Sequence, residues 1–259
     1  MDPLPDDIAC AIEEARPRLL PLAAPLLFFS TVGSTNDEAA SIATEGTVVV
    51  ADAQTAGRGR RGRTWFSPPG SGLYVSTVLA PAQARVDPRR ATTLLTLAAG
   101  VAIAEGIVAS TGLDVDLKWP NDVYVSGRKL AGILAEAVRD VVVLGYGINL
   151  TASALPPELG DRATSLEGQT GLVPDRARVL VETLAALASR YGDLLAGRFD
   201  AILDAWRVRA PAAVGARIRG TAGSIAQWGV TAGVGDDGAL LVRTERGIER
   251  IVGGEVQWS

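Results

Sequence analysis

The chain has 259 residues, 47% of them hydrophobic, so it can bury a sizeable core in one large domain or in one large and one small domain. It contains no histidine and one cysteine, Cys10, which excludes catalysis or metal binding by histidine, an internal disulfide and a multi-cysteine zinc site. Its net charge of -4 argues against a basic surface for nucleic acid over the whole chain. Because no uninterrupted apolar run approaches the roughly 18 residues of a membrane span and the acidic start lacks the basic segment of a signal peptide, we expect a soluble cytoplasmic protein.

The N-terminal half of the sequence alternates helix and strand patterns. In chain order, it predicts a helix over residues 6–20, a short strand over 26–29, a helix ending near 43, strands over 47–53 and 73–80, and a long helix over 91–110. The prolines from Pro17 onward are expected to end the first helix. Thr35 followed by Glu38 is a capping-box pattern, which predicts that the second helix begins there.

The C-terminal half first predicts a strand meander and then changes character. Strand patterns cover 115–119, 122–125, 129–138 and 141–150, and helix patterns cover 175–196 and 199–209. Short strands separated by glycine-marked turns follow over 214–259, which indicates a small β-barrel of about 45 residues. We therefore expect a domain boundary near residues 210–213.

The loop between the strands at 47–53 and 73–80 contains the run GRGRRGRTW at residues 57–65. Glycines let a backbone approach a ligand closely, and arginines offer paired N–H donors to phosphate or carboxylate. The run therefore predicts a site for a polyanion or an acyl phosphate. A solvated loop and an RGG-like nucleic-acid segment are the alternatives, although the latter is typical of low-complexity chain and this run occurs once, between two strands.

Lysine is rare in this chain, since only Lys118 and Lys129 among its 25 basic residues are lysines. Where arginine otherwise supplies positive charge, a lysine indicates a position that needs a compact ammonium. The segments KWPND and GRKLAG around the two lysines predict that both lysines lie at the same opening of a ligand site. Asn121 and Asp122 would then be free to hold a ligand amide or a Mg²⁺-bound water. Chance clustering and an ordinary hairpin with turn residues are the alternatives.

Two further patterns bear on nucleotide binding. The run GYGIN at residues 145–149 is only a weak nucleotide signature, because a glycine pair near a strand end is more often a packing feature. The sequence has no G-x-x-x-x-G-K-[ST] motif, which excludes a P-loop.

Five segments in a fixed order carry a resemblance to a known family. They are STN at 34–36, QTAGRGRRGRTW at 54–65, KWPND at 118–122, RKLAG at 128–132 and GIN at 147–149. Together, over about residues 28–150, they resemble the biotin protein ligases, also called biotin-[acetyl-CoA-carboxylase] ligases. Each segment alone is weak, whereas the combination is highly specific.

The resemblance implies an α+β fold with a class II synthetase-like catalytic domain, whose mixed, mostly antiparallel sheet has flanking helices, and a small C-terminal SH3-like barrel. The corresponding domains are a lead-in at 1–25, a catalytic biotin- and ATP-binding domain at 26–210 and the barrel at 211–259. Because only about 25 residues precede the catalytic region, we expect the monofunctional kind, without the winged helix-turn-helix that binds DNA.

The resemblance also implies roles for individual residues. Biotin contacts fall to Ser34, Thr35, Asn36, Gln54, Gly57, Arg58, Gly59, Arg60, Lys129 and Gly132. ATP contacts fall to Arg58, Arg60, Arg61, Arg63, Trp65, Lys118, Asn121, Lys129 and Asn149. The catalytic charge neutralisers are Arg58, Arg60, Lys118 and Lys129. This agrees with the chemistry of biotin, since its apolar bicycle, polar ureido edge and acid tail need an apolar wall, short polar groups and cations.

The expected function is activation of biotin with ATP to biotinyl-5′-AMP and transfer of biotin to a lysine of a biotin carboxyl carrier protein domain. This chemistry needs positioning and charge neutralisation more than proton transfer, which suits a chain without histidine. Mg²⁺ is expected with ATP, with its ligands unassigned. We expect no DNA or membrane partner, and a weak homodimer is left open.

Two other functions are kept as alternatives. A lipoate or octanoate ligase would share the two-step chemistry, but its substrate lacks a ureido group and would leave the Ser-Thr-Asn and Gln cluster unpaired. A non-catalytic, biotin-sensing nucleotide-binding protein would need a DNA- or protein-binding module, which the sequence does not indicate.

Overall fold

The structure is a computed structural model, and it describes residues 1–222, 225–253 and 256–258. Its main sheet has seven strands: β1 (Leu26–Val32), β2 (Val48–Gln54), β3 (Gly72–Leu79), β4 (Asp116–Lys118), β5 (Asp122–Val125), β6 (Arg128–Val138) and β7 (Val141–Asn149). They lie in the order β1-β2-β3-β7-β6-β5-β4, and only β1 and β2 pair in parallel. The predicted mixed, mostly antiparallel sheet is confirmed.

Six α-helices flank this sheet in the described part of the chain. They are α1 (Asp6–Leu19), α2 (Thr35–Ile42), α3 (Pro88–Thr111), α4 (Leu166–Thr170), α5 (Arg176–Leu195) and α6 (Phe199–Val208). Among the described helices, α3 alone is long and apolar enough to cross a membrane, and 72% of that stretch is buried inside the protein. It begins three residues earlier than predicted, because Pro88 occupies its first turn and the Asp87 side chain accepts from the Arg90 amide.

Strand alternation gives the main sheet two different faces. On one face, large side chains such as Val75 of β3 and Leu144 and Ile148 of β7 join the core formed with α3 and α5. The other face carries small residues, because the register sets Ser76 beside Gly145 and sets Gly147 beside Gly132. Helix α2 covers part of this second face, and the small residues leave room beside it.

Two local predictions about the N-terminal region are wrong. Pro17 lies inside the last turn of α1 and does not end it, since a proline there removes only one main-chain donor at a point where the helix is ending. The capping box is absent: the N-cap is Ser34, without a side-chain cap bond, and Thr35 donates instead to Gln54, 19 residues away. The predicted position of Ser34 and Thr35 at a helix N-terminus is nonetheless right.

A second, smaller antiparallel sheet follows. Its strands are β8 (Val214–Ala222), β9 (Ile225–Val234), β10 (Leu240–Thr244), β11 (Gly247–Ile251) and β12 (Val256–Trp258), in the order β11-β10-β9-β8-β12. The predicted C-terminal β-rich unit is confirmed, although Gly223 and Gly254, two of its predicted turn glycines, lie outside the described residues. Its buried Leu240 and Val242 belong to the same core as α3. Division of the chain at residue 210 stays a prediction.

Candidate active site

A cavity of about 620 Å³ opens over the small-residue face of the main sheet. The predicted site residues that line it are Ser34, Thr35, Asn36, Gln54, Arg58, Gly59, Arg60, Arg61, Arg63, Trp65, Lys118, Asn121, Lys129 and Gly132. Segments far apart in the sequence therefore meet at one place, as predicted. Two predicted residues do not line it. Gly57 packs against Trp65 and Ser67, at the base of the loop formed by residues 57–65, which we call the arginine loop. Asn149 donates through Nδ2 to the Thr164 carbonyl at 3.0 Å.

Buried polar side chains form one end of the cavity. The Thr35 hydroxyl donates to Gln54 Oε1 at 3.1 Å, and the Thr35 amide donates to the same oxygen at 2.9 Å. Ser76 Oγ lies 2.6 Å from Asn36 Oδ1 and 2.7 Å from Thr35 Oγ1. Gln54 Nε2 donates in turn to Ser67 Oγ at 3.0 Å. These side chains hold one another in place, which gives a ligand a preorganised set of short polar groups.

The floor of the cavity is made of glycine backbone and is covered by one indole ring. A Cβ atom at Gly147 would lie 2.3 Å from Trp65 Nε1, and one at Gly132 would lie 3.0 Å from the Trp65 ring, so the indole rests directly on both strands. Trp65 Nε1 is buried and has no hydrogen-bond partner among the described residues. The cavity thus has an apolar aromatic wall that also presents an unpaired donor.

Cations gather at the other end, near the start of β6. Lys129 Nζ lies 2.6 Å from Asp122 Oδ1 and 5.5 Å from the centre of the Trp65 ring, and Lys118 Nζ lies 4.6 Å from the centre of the Tyr124 ring. Burial lowers the pKa of Lys118, and Lys129 lowers it further, while Asp122 offsets part of the change. Burial also raises the pKa of Tyr124 to about 12, so its phenol stays neutral and acts as a π partner for Lys118.

Two expectations about this end of the cavity are wrong. Asn121 is not free, because its Oδ1 accepts from Arg60 Nη1 at 3.0 Å and its Nδ2 donates to the Ile133 carbonyl at 2.7 Å. Asp122 is paired with Lys129. The polar and charged side chains of this compact site therefore hydrogen-bond one another, because leaving a polar or charged group without a partner away from water costs free energy. Asn121 is thereby a link between the arginine loop and β6.

Arg58 occupies a different place from the other predicted charge neutralisers. Its guanidinium donates to both carboxylate oxygens of Asp37 at 2.7 Å and to Glu136 Oε2 at 3.1 Å. The hydrogen bonds to Asp37 raise the pKa of Arg58, and burial offsets only part of that rise. In this structure the charge of Arg58 is therefore already compensated, at the polar end of the cavity.

Several lining or supporting residues were not predicted from the sequence. They are Ser76, Tyr124, Glu136, Leu159 and Arg162. A weak signal existed for Ser76, since it and Thr77 are hydroxyl residues in a buried strand of mostly apolar residues. The others lie in segments without a distinctive composition, so only the fold reveals them.

A second cavity of about 760 Å³ adjoins the first and shares four lining residues with it: Arg60, Trp119, Pro120 and Ile133. The turn between β9 and β10 closes its far side. Trp119 Nε1 donates to the Gly238 carbonyl of that turn at 2.9 Å, and the Trp119 side chain is buried. The segment that carries Lys118 and Asn121 is thus attached directly to the second sheet.

Comparison with known proteins identifies the family of this chain. Residues 29–151 match the biotin/lipoate A/B protein ligase family. The chain is 37% identical over 243 residues to the bifunctional ligase/repressor BirA of Bacillus spizizenii, covering 90% of this chain and 73% of the relative. The chain belongs to the biotin protein ligase family. This ligase is also 34% identical to the biotin–[acetyl-CoA-carboxylase] ligase of Paracoccus denitrificans, over 86% of this chain and 96% of the relative.

The fold of the ligase agrees with the same assignment. Biotin protein ligase from Aquifex aeolicus, solved with biotin and ATP, superposes with a TM-score of 0.80 and 32% identity, covering 90% of this chain and 98% of that one. The predicted fold class, a mixed sheet with flanking helices and a small C-terminal β-unit, is confirmed.

Proposed function

We propose that this ligase joins biotin to protein in two steps, through biotinyl-5′-AMP. Membership of the family makes the chain an ATP-dependent biotin protein ligase, and the proposal adds the route and the acceptor. A biotin carboxylate oxygen attacks the α-phosphorus of ATP, and the bond to the pyrophosphate oxygen breaks. The amine of a lysine on a biotin carboxyl carrier protein domain then attacks the acyl carbon, loses a proton and releases AMP.

The observation that carries the proposal is the opposite character of the two ends of one cavity. Short polar side chains, among them Thr35, Asn36 and Gln54, suit the ureido edge of biotin, whereas Arg60, Lys118 and Lys129 at the other end suit a carboxylate and phosphates. Placing two anions side by side is the main electrostatic barrier to the first step, and fixed cations lower it without any nucleophile from the enzyme.

The polar end also favours biotin over the alternative acyl substrates. Asn36 and Ser76 are buried and have relative exposures of 5% and 0%. Each already has a hydrogen-bond partner in the protein, but the Asn36 amide keeps a second N–H and a second lone pair, which a lipoyl or octanoyl chain would cover without pairing. Biotin instead offers a carbonyl and two N–H groups there.

Mg²⁺ enters the proposal only as the companion of the ATP phosphates. Within the described ranges, no three histidine, cysteine or acidic side chains come together in a way that could hold a metal ion. Asp122, the acidic side chain nearest the cations, is already paired with Lys129. The residues therefore do not fit a metal held by the protein, and we assign it no ligand. A cytoplasmic location belongs to the proposal as well.

The decisive experiment is biotin-dependent exchange of radiolabelled pyrophosphate into ATP. The proposal expects exchange with biotin, no exchange with lipoate or octanoate, and biotin transfer after a carrier domain is added. Exchange driven by lipoate would assign the protein to the alternative acyl ligases. Binding of biotin and ATP without any exchange would favour a non-catalytic sensor.

A further inference from the structure

An acidic residue outside the predicted site connects its polar end with the arginine loop. Glu136 lies near the end of β6, seven residues beyond Lys129. Its Oε2 accepts from Asn36 Nδ2 at 2.5 Å and from Arg58 Nη2 at 3.1 Å. One carboxylate oxygen thus holds both a residue of the polar end and the first arginine of the loop.

The Glu136 contact determines which way the Asn36 amide points. Asn36 Oδ1 lies 2.6 Å from Ser76 Oγ, so its acceptor is occupied on the side of β3 and its Nδ2 must face β6. A Cβ atom at Gly145 would lie 2.1 Å from Asn36 Oδ1, so the glycine is required for the amide to rest on β7. With a donor instead of Glu136 opposite Nδ2, this orientation would be lost.

The same carboxylate helps to hold the arginine loop. Arg58 is clamped between Asp37 of α2 and Glu136 of β6, and its side chain keeps 37% of its surface exposed. Charge-assisted, bidentate pairs of this kind have a defined geometry. The clamp therefore attaches the start of the loop to two rigid elements, while Arg60 links the next part of the loop to Asn121.

We propose that Glu136 is a positioning residue of the ligase, which sets the Asn36 amide for the ureido end of biotin and anchors the arginine loop through Arg58. The proposal rests on the proposed function. It also changes the role of Arg58 from a neutraliser of substrate charge to an anchor for the loop. Glu136 touches neither reacting atom and contacts Asn36 directly, so its loss should act mainly on biotin binding. The influence on ATP should be smaller, because Arg60, in the part of the loop predicted to contact ATP, keeps its own link to Asn121.

Glu136→Gln tests this, because glutamine keeps the shape and one acceptor oxygen but removes the charge that strengthens the bonds from Asn36 and Arg58. In pyrophosphate exchange we expect the KM for biotin to rise about 10- to 100-fold, as for loss of charge-assisted hydrogen bonds. The KM for ATP at saturating biotin should change less than about threefold. Limited proteolysis between Arg58 and Arg63 should become faster. Asp140→Asn, on the turn of the same hairpin, is the matched control and should behave as the parent.

Glu136→Asp keeps the charge and shortens the side chain, so its KM for biotin should lie between the parental value and that of Glu136→Gln. A parental KM for biotin in Glu136→Gln, or equal losses for biotin and ATP, would overturn the positioning role. If Glu136→Gln does not fold, a KM for biotin in Glu136→Asp equal to the parental one would overturn it, and a selective rise would support it. Absence of exchange in the parent would refute the proposed function instead.

Discussion

Replacing Gly147 by alanine tests whether the indole of Trp65 lies on the glycine floor. The new methyl would sit 2.3 Å from Trp65 Nε1 and 2.5 Å from Cε2. Since comfortable contacts begin near 3.5 Å, the ring must move by about 1 Å. Overpacking of this kind costs about 1–3 kcal/mol. At roughly 2–4 °C per kcal/mol for a chain of this size, the Tm should fall by about 2–12 °C.

The same change should weaken biotin binding, because the methyl takes space at the floor and pushes the indole into the cavity. An extra methylene in an apolar pocket changes affinity by about 10- to 200-fold. Titration calorimetry with biotin measures this directly. Gly192→Ala is the matched control, since an added Cβ there meets nothing within 4 Å, and it should leave biotin affinity at the parental value.

A double-mutant cycle isolates the contact. In a Trp65→Ala background the alanine at position 147 has no indole to displace, so the loss of Tm should be close to zero. A loss as large as in the parent would mean that the methyl meets something other than Trp65, and the placement of the ring would be refuted. Unchanged biotin affinity in Gly147→Ala would separately show that the floor is not part of the biotin site.

Four other predictions follow from the cationic end and its supports. Lys129→Ala should lower the exchange rate about 10²- to 10³-fold, and Lys129→Arg should recover little of it, whereas near-parental exchange in the arginine variant would refute the need for a compact ammonium. Arg60→Gly breaks the link to Asn121 and should release biotinyl-5′-AMP faster, detected as biotinylation of an unrelated lysine-rich protein. Burial lowers the pKa of Lys118, and a bound phosphate should raise that pKa again. ATP affinity should therefore be constant at low pH and fall, by at most about tenfold per pH unit, as the pH rises through the lowered pKa of Lys118. Lys118→Met should abolish that decline. Trp119→Phe removes the bond to the second sheet and should cost about 0.5–1.5 kcal/mol of stability, and an unchanged exchange rate per folded molecule would limit that sheet to a stabilising role.

The sequence predicted best what depends on neighbours along the chain. The strands β4 to β7 pair with their neighbours along the chain, so strand patterns alone sufficed to predict that Lys118 and Lys129 lie at the same cavity. Local patterns failed where a distant group competes for the same atom. Thr35 was expected to cap its own helix, but its hydroxyl donates to the side chain of Gln54. Gln54 is brought there by the parallel pairing of β1 and β2. Such competition depends on tertiary contacts that composition and spacing do not contain.

The same reason explains why the role of Arg58 could not be read from the GRGRRGRTW run. All four arginines look alike in sequence, but the fold brings Asp37 and Glu136 to Arg58 and brings Asn121 to Arg60. Lys129 and Glu136 are seven residues apart on β6, which at the rise of an extended strand separates their backbones by about 23 Å. The Lys129 side chain runs along the strand, with Nζ 3.3 Å from the position of a Cβ atom on Gly132, so the ammonium is about four residues of strand, roughly 13 Å, from the backbone of Glu136. Strand β6 thus carries Glu136 at the polar end of the cavity and Lys129 at the cationic end, and we expect biotin to bind with its ureido ring toward Glu136 and its acid tail toward Lys129.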